Sequence, residues 1–275
     1  IGSRFKNGLQ ENDGGFLQCI SCDSIKIDSS CFRKFQARRG GVLGLTNSKL
    51  EKSYVSISNS SFEENTASSG GVAFIENSFI SIENSVFRSN KATGEDRFSG
   101  TGGVLKPVST SSQLYNLSVV DSEFYNNSAS LKGGCIDWSV MPYLQNNHFS
   151  NNSAQYGADL ASFGVKLVPK TARNLIHYEA APGQVAPFVI ILEIVDHYGN
   201  LVTTDNETSA EMIPMNKSTF LSKNQIVKAQ KGVMRFDSFI INGEPGSLQP
   251  LKIRSSSLEV LLEVSLRDCD VGEMR

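Results

Sequence analysis

The sequence predicts an all-β protein, a right-handed parallel β-helix followed by an immunoglobulin-like β-sandwich. Three observations predict it. A Phe-x-x-Asn-x-Ala frame closed by a Gly-Gly pair recurs as far as Leu160; paired apolar residues stand at a fixed distance before each Phe; and beyond Leu160 short apolar runs alternate with turn residues.

The repeat is read directly from the residues. Phe62, Asn65 and Ala67 lead to Gly70-Gly71; Phe87, Asn90 and Ala92 to Gly102-Gly103; Phe124, Asn127 and Ala129 to Gly133-Gly134; Phe149, Asn152 and Ala154 to Gly157-Ala158. An earlier unit, Phe32, Phe35 and Ala37 before Gly40-Gly41, lacks the Asn but keeps the frame. A period of this length means stacked units that bury their apolar faces against their neighbours. Ile25 and Ile27, Val55 and Ile57, Ile80 and Ile82, and Leu117 and Val119 precede successive Phe residues, while the last unit has Pro142 and Leu144. Apolar residues two apart share one face of a strand, so each unit carries an inward-facing strand before its Phe. Between strand and Phe stands a small polar residue, Ser29, Asn59, Asn84, Asp121 or Asn146. This position is predicted to form a ladder at a turn, where such residues tolerate left-handed geometry and satisfy local backbone groups. The glycine pair permits a sharp bend and opens a second strand at Phe16, Val42, Val72, Val104 and Cys135. Length varies only in the turns, as in the insertion at 94–101, which fits a β-helix. A leucine-rich repeat would need Leu-x-x-Leu-x-Leu frames, and none recurs.

With 275 residues the chain is long enough for two domains, and a net charge of -2 gives no reason to expect nucleic acid or acidic lipid as partner. The longest apolar run, Pro187 to Val195, is interrupted by Glu193 and falls far short of the roughly 20 residues that span a bilayer. The expected division is a β-helix over residues 1–164, a sandwich over 165–266, and a linker or the start of a cysteine-rich module over 267–275. Phe5 precedes Gly14-Gly15 much as Phe32 precedes Gly40, so Phe5 is read as the Phe of a preceding unit. More coils before residue 1, or a neighbouring subunit, would cover the open end, since bare strand edges invite pairing.

Sequons and cysteines point to a secreted or cell-surface protein. Asn-x-Ser/Thr occurs at Asn59, Asn116, Asn126, Asn151, Asn206 and Asn216, so N-linked glycans are expected, best at Asn126 and Asn151 beside the ladder asparagines. Cys19, Cys22 and Cys31 cluster without a fourth zinc ligand nearby, and a bridge from Cys31 to Cys19 or Cys22 is the expectation in an oxidising compartment. Cys135 occupies the inward slot of Val72 and Val104, and Cys269 has no evident partner.

The second half reads as seven strands, at 175–178, 188–195, 211–214, 226–229, 233–239, 248–253 and 260–264, with turns at Ala-Pro-Gly 181–183, Tyr-Gly-Asn 198–200, Lys-Gly 231–232 and Glu-Pro-Gly 244–246. Seven strands in about 100 residues suit an immunoglobulin-like sandwich. The stretch Phe188 to Asn200, ending Val-Asp-His-Tyr-Gly-Asn, resembles a strand and turn of filamin-like and bacterial surface immunoglobulin modules.

The Gly-Gly-Val and Phe-x-x-Asn repeats resemble the polymorphic outer-membrane adhesins of chlamydiae, and more closely the pectin-lyase-like surface proteins predicted in ciliates and other protists. The latter resemblance implies β-helix coils, immunoglobulin-like segments and then cysteine-rich repeats, which would supply a partner for Cys269. It implies an extracellular structural or adhesive protein and carries over no catalytic residue.

Polysaccharide-degrading β-helices need clustered acids on one face, as paired carboxylates or as calcium ligands beside a base. Here the acids look scattered: Asp121 is a turn residue, Glu63-Glu64 flank a buried Phe, and Asp268, Asp270 and Glu273 match only part of a calcium loop. The reading is a non-catalytic chain without cofactor or metal, a glycoprotein subunit of a coat or fibril that binds copies of itself. Its rival is an adhesin whose long turns at 46–54, 94–101 and 108–116 meet a cell surface or carbohydrate. Trp138 and His148 read as a packing residue and an outward residue, and the stacked Phe32, Phe62, Phe87, Phe124 and Phe149 with Asn65, Asn90, Asn127 and Asn152 as structural ladders.

Overall fold

The computed structural model describes residues 3–47, 53–94, 99–109, 116–139, 141–170 and 178–268. The described residues are all-β, without helices, and divide into two compact units, Ile1–Phe163 and Gly164–Arg275.

The first unit is a stack of coils in which equivalent strands pair in parallel. One sheet collects the strands that carry the repeat Phe: Ser3–Lys6, Ser30–Arg33, Ser61–Glu63, Val86–Arg88, Glu123–Tyr125 and His148–Ser150. A second collects Ser24–Asp28, Ser53–Ser58, Ser78–Glu83, Asn116–Val120 and Tyr143–Gln145, and a third Gln36–Arg39, Thr66–Ser69, Lys91–Ala92 and Ser128–Ala129. The fourth holds the strands after the glycine pairs: Leu17–Ile20, Leu43–Thr46, Ala73–Glu76, Leu105–Val108, Ile136–Asp137 and Leu160–Ala161. A middle coil therefore has four strands rather than the two expected. The Phe and the following Ala sit on strands of their own, too short for alternation to reveal.

Corners in left-handed geometry separate these strands. Ser29, Asn59, Asn84, Asp121 and Asn146 have φ between +46° and +51°. A second set, Lys34, Glu64, Ser89, Asn126 and Asn151, has φ from +54° to +62°. The first glycine of a pair makes the third corner, Gly70 at +62°, and the second meets a different constraint. A Cβ on Gly71 would lie 2.1 Å from the carbonyl oxygen of Gly103 in the next coil. The last pair reads Gly157-Ala158, at the coil whose Ala158 carbonyl faces Gly134 from above.

Two buried ladders run through the stack. The repeat Phe rings lie face to face, with centroids 5.2, 5.1, 4.8 and 4.8 Å apart from Phe32 through Phe149, close to the spacing of paired strands. Asn90 Nδ2 donates to the Phe62 carbonyl at 2.9 Å and to Asn127 Oδ1 at 3.0 Å, while Asn90 Oδ1 accepts from the Asn65 backbone N–H. Asn127 and Asn152 repeat the arrangement one coil on. At the other corner the hydrogen-bond ladder lies one residue later than expected. Ser60, Ser85 and Ser122 are the buried members, each accepting a backbone N–H from the coil below and donating to the carbonyl two residues back. The left-handed residues before them are exposed, because a corner turns its own side chain outward and the next one in.

Cys19 bridges Cys22 with a Cα separation of 6.1 Å, and Cys31 is free, which corrects the expected pairing. The register explains it: Cys19 pairs with inward Leu45 and is buried, whereas Cys31 is next to inward Phe32 and so faces out. Cys135 is fully buried, and burial pushes its thiol well above the ordinary range. Cys269 and nearly all of the expected 267–275 module lie outside the described residues.

The second unit has an antiparallel sheet of Lys166–Pro169, Ile190–Val195 and Val233–Phe236, and a five-stranded sheet of Tyr178–Ala180, Glu259–Leu266, Leu248–Arg254, Ser209–Pro214 and Ile226–Lys228. Within the latter only Tyr178–Ala180 pairs in parallel. A two-stranded ribbon joins Phe220–Ser222 to Ile240–Asn242. Lys166–Pro169, Phe220–Ser222 and Ile240–Asn242 were not among the expected strands, and residues 175–177 of the first expected one lie outside the described residues. Ile190, Leu192, Met212, Met234, Phe236, Phe239, Leu251 and Ile253 are buried in this unit.

Candidate functional site

The outer face of the fourth sheet carries a charge cluster that sequence reasoning missed. Residues four beyond the first glycine of each pair occupy one outward column: Gln18, Gly44, Phe74, Lys106, Asp137 and Ala161. Lys106 and Asp137 are neighbours in that column and form an ion pair, and Lys132, on the turn before Gly133, reaches the other Asp137 oxygen at 3.1 Å. Asp137 is fully buried beneath the two ammonium groups. Burial pushes Lys106 below the ordinary lysine range; Asp137 pulls it back up, and the neighbouring Lys132 charge pushes it down.

Two coils before Lys106 the charges are better matched. Arg39 Nε donates to Asp13 Oδ2 at 3.0 Å, Arg38 lies 3.2 Å from the same carboxylate, and Arg39 lies 3.7 Å from Glu76. The Arg39 guanidinium also covers the Phe74 ring, 4.2 Å from its centroid. Burial works to raise the Asp13 acid, but the hydrogen bonds and charges of Arg39 and Arg38 outweigh it, so its carboxyl falls below the usual range. Between the two groups opens a cavity of about 440 Å³, lined by Arg39, Phe74, Thr101, Lys106, Pro107, Val108, Ser109, Lys132 and Ser139. The described lining holds three cations and no acid.

The acids expected to be scattered are thus partly gathered, into ion pairs. Glu63 and Glu64 join Arg33, with Glu64 also 3.6 Å from Lys34 on the Phe-sheet wall. A signal for the cluster was present in the repeat itself: Lys106 and Asp137 are opposite charges at the same offset from consecutive glycine pairs. Among the described residues no group of three His, Cys, Asp or Glu is placed to hold a metal. No described helix is long and apolar enough to cross a membrane.

The other sequence-predicted residues take these places. Asn59, Asn116, Asn126, Asn151, Asn206 and Asn216 are all exposed. Asn59 Nδ2 is held by Asp28 at 3.0 Å and Asn216 Nδ2 by Gln249 at 3.0 Å, while Asn206 accepts the Lys231 N–H through its side-chain oxygen. Trp138 is buried, and His148 is exposed against Tyr125 with ring centroids 5.5 Å apart. Of the three long turns, 48–52, 95–98 and 110–115 lie outside the described residues.

No protein-family model and no curated protein sequence matches the chain. Among solved structures, domains 4 and 5 of the S-layer protein SbsC match with 17% identity and a TM-score of 0.26, over 39% of this chain and 55% of that one. The S-layer protein rSbsC(31-844) matches with the same identity and score, over 39% of this chain and 14% of its own.

Proposed function

We propose that this chain is a non-catalytic extracellular structural glycoprotein, a right-handed β-helix with an immunoglobulin-like module, serving as a subunit of a surface coat or fibril. The observation that carries the reading is the unbroken run of Phe and Asn ladders through consecutive coils. Such a stack resists bending because displacing one coil breaks identical contacts above and below it. The pairing of the acids Asp13, Glu64 and Asp137 with Arg or Lys supports a wall-building rather than an acid–base role. Six exposed sequons and a Cys19–Cys22 bridge suit an oxidising, glycosylating route.

The second reading, an adhesin, is favoured by the cavity on the fourth sheet, whose rim includes Thr101, Val108 and Ser109 at the described ends of two long turns. Electron microscopy of the secreted protein, with sedimentation across a concentration series, separates the two. Fibres or ordered oligomers containing the chain are expected; dispersed monomers that bind cells would overturn the coat-subunit reading in favour of adhesion.

A further inference from the structure

We propose that the cavity between Lys106, Lys132 and Arg39 is a binding site for a monoanionic oxyanion, a carboxylate or sulfate monoester. Among the described residues two ammonium groups share the single carboxylate of Asp137, so this pair of cations is one negative charge short there. Arg39, by contrast, is matched by Asp13 and Glu76. The unbalanced charge borders a space of about 440 Å³, large enough for a ring-sized ligand. Its described lining adds the hydroxyl groups of Thr101, Ser109 and Ser139 and the apolar surfaces of Phe74, Pro107 and Val108, and contains no acid.

The geometry also explains why the ligand carries one charge. Lys106 is mostly buried, with 18% of its side chain exposed, and Lys132 has 23% exposed. Counter-ions in bulk water screen such partly enclosed charges less than surface ones. An oxyanion seated between them completes a two-cation, two-anion arrangement with Asp137, whereas a dianion would leave a negative excess against the buried carboxylate. A neutral ligand would leave the imbalance in place. The site is independent of the coat-subunit reading, since a fibril subunit and a monomeric adhesin could both hold it.

The test is calorimetric titration of the full chain with methyl sulfate, with glucuronate, and with a uronate-containing oligosaccharide, each against chloride at equal ionic strength. Saturable binding of the first two is expected, weakened at least tenfold in Lys132→Gln, retained in Lys132→Arg, and unchanged in Lys252→Gln, whose ion pair with Glu259 lies in the other unit. Tighter binding of the oligosaccharide than of free glucuronate identifies a glycan-borne anion as the source; equal binding identifies a free one. Heats indistinguishable from chloride, or an equal loss in Lys252→Gln, would overturn the proposal. If Lys132→Gln fails to fold by circular dichroism, the decision rests on wild type and Lys132→Arg: absence of saturable methyl sulfate and glucuronate binding in both overturns it.

Discussion

The two units of this chain solve the burial problem in opposite ways. In the first, each core residue is surrounded by copies of itself: Phe87 lies between Phe62 and Phe124, and Asn90 between Asn65 and Asn127. In the second, the buried Phe236 pairs with Ile190 across antiparallel strands, and each site is particular. Repetition makes the first unit legible and uniformly fragile. A change that is wrong for one coil is wrong in the same way for its neighbours, whereas the second unit confines an error to one place.

The comparison is tested most severely by glycine. Gly71→Ala places a Cβ 2.1 Å from the Gly103 carbonyl oxygen and 2.8 Å from the Lys91 backbone, so the coil spacing cannot be kept. Loss of the cooperative unfolding transition of the first unit is expected in urea melts followed by circular dichroism. Gly199→Ala in the second unit, at φ +79° with nothing within 4 Å, meets only backbone strain and costs about 1–2 kcal/mol. Equal effects would sink the contrast.

Phenylalanine sharpens it further. Phe236→Ala and Phe87→Ala each lose about 3–5 kcal/mol from the cavity left behind. Phe87 also loses two stacked rings, at about 0.5–1.5 kcal/mol apiece, so its variant is expected to be the less stable by roughly 1–3 kcal/mol. Urea midpoints of the two variants check this, and an equal loss would mean that ladder stacking adds nothing beyond burial.

The smallest effect concerns pH. Asp13 is depressed below its unfolded value near 3.9 because Arg39 and Arg38 overcome burial. Its stabilising contribution is present above that unfolded value and disappears as pH falls through the lower folded one. Acid titration of stability should therefore show a loss below about pH 4 that is missing in Asp13→Asn. An unchanged acid limb in the variant would assign the loss to other carboxylates.

How far the fold was legible follows from where repetition held. The inward pairs Val55 and Ile57, Ile80 and Ile82, and the glycine pairs are visible because every coil needs the same residue at the same offset. The short strands Ser30–Arg33 and Gln36–Arg39 were not, since strands of four residues show too little alternation. Phe220–Ser222 and Ile240–Asn242 escaped for the same reason, being three residues each. Cys31 was mispaired because the spacing of the cysteines does not say which side of a wall each side chain faces.

By itself, then, the sequence determined an all-β chain with a repeating first half, its ring and asparagine columns, and the polar corners that turn it. Local sterics and period suffice for those properties, because each depends on residues within one coil or on the identical residue of the next. Tertiary structure alone decided the number of strands per coil, the Cys19–Cys22 pairing and the burial of Asp137 beneath Lys106 and Lys132. Those depend on the depth and direction of side chains on a closed wall: Lys132 reaches Asp137 across the bend of their own coil, 5 residues away, and stacking brings Lys106 to it from 31 residues away.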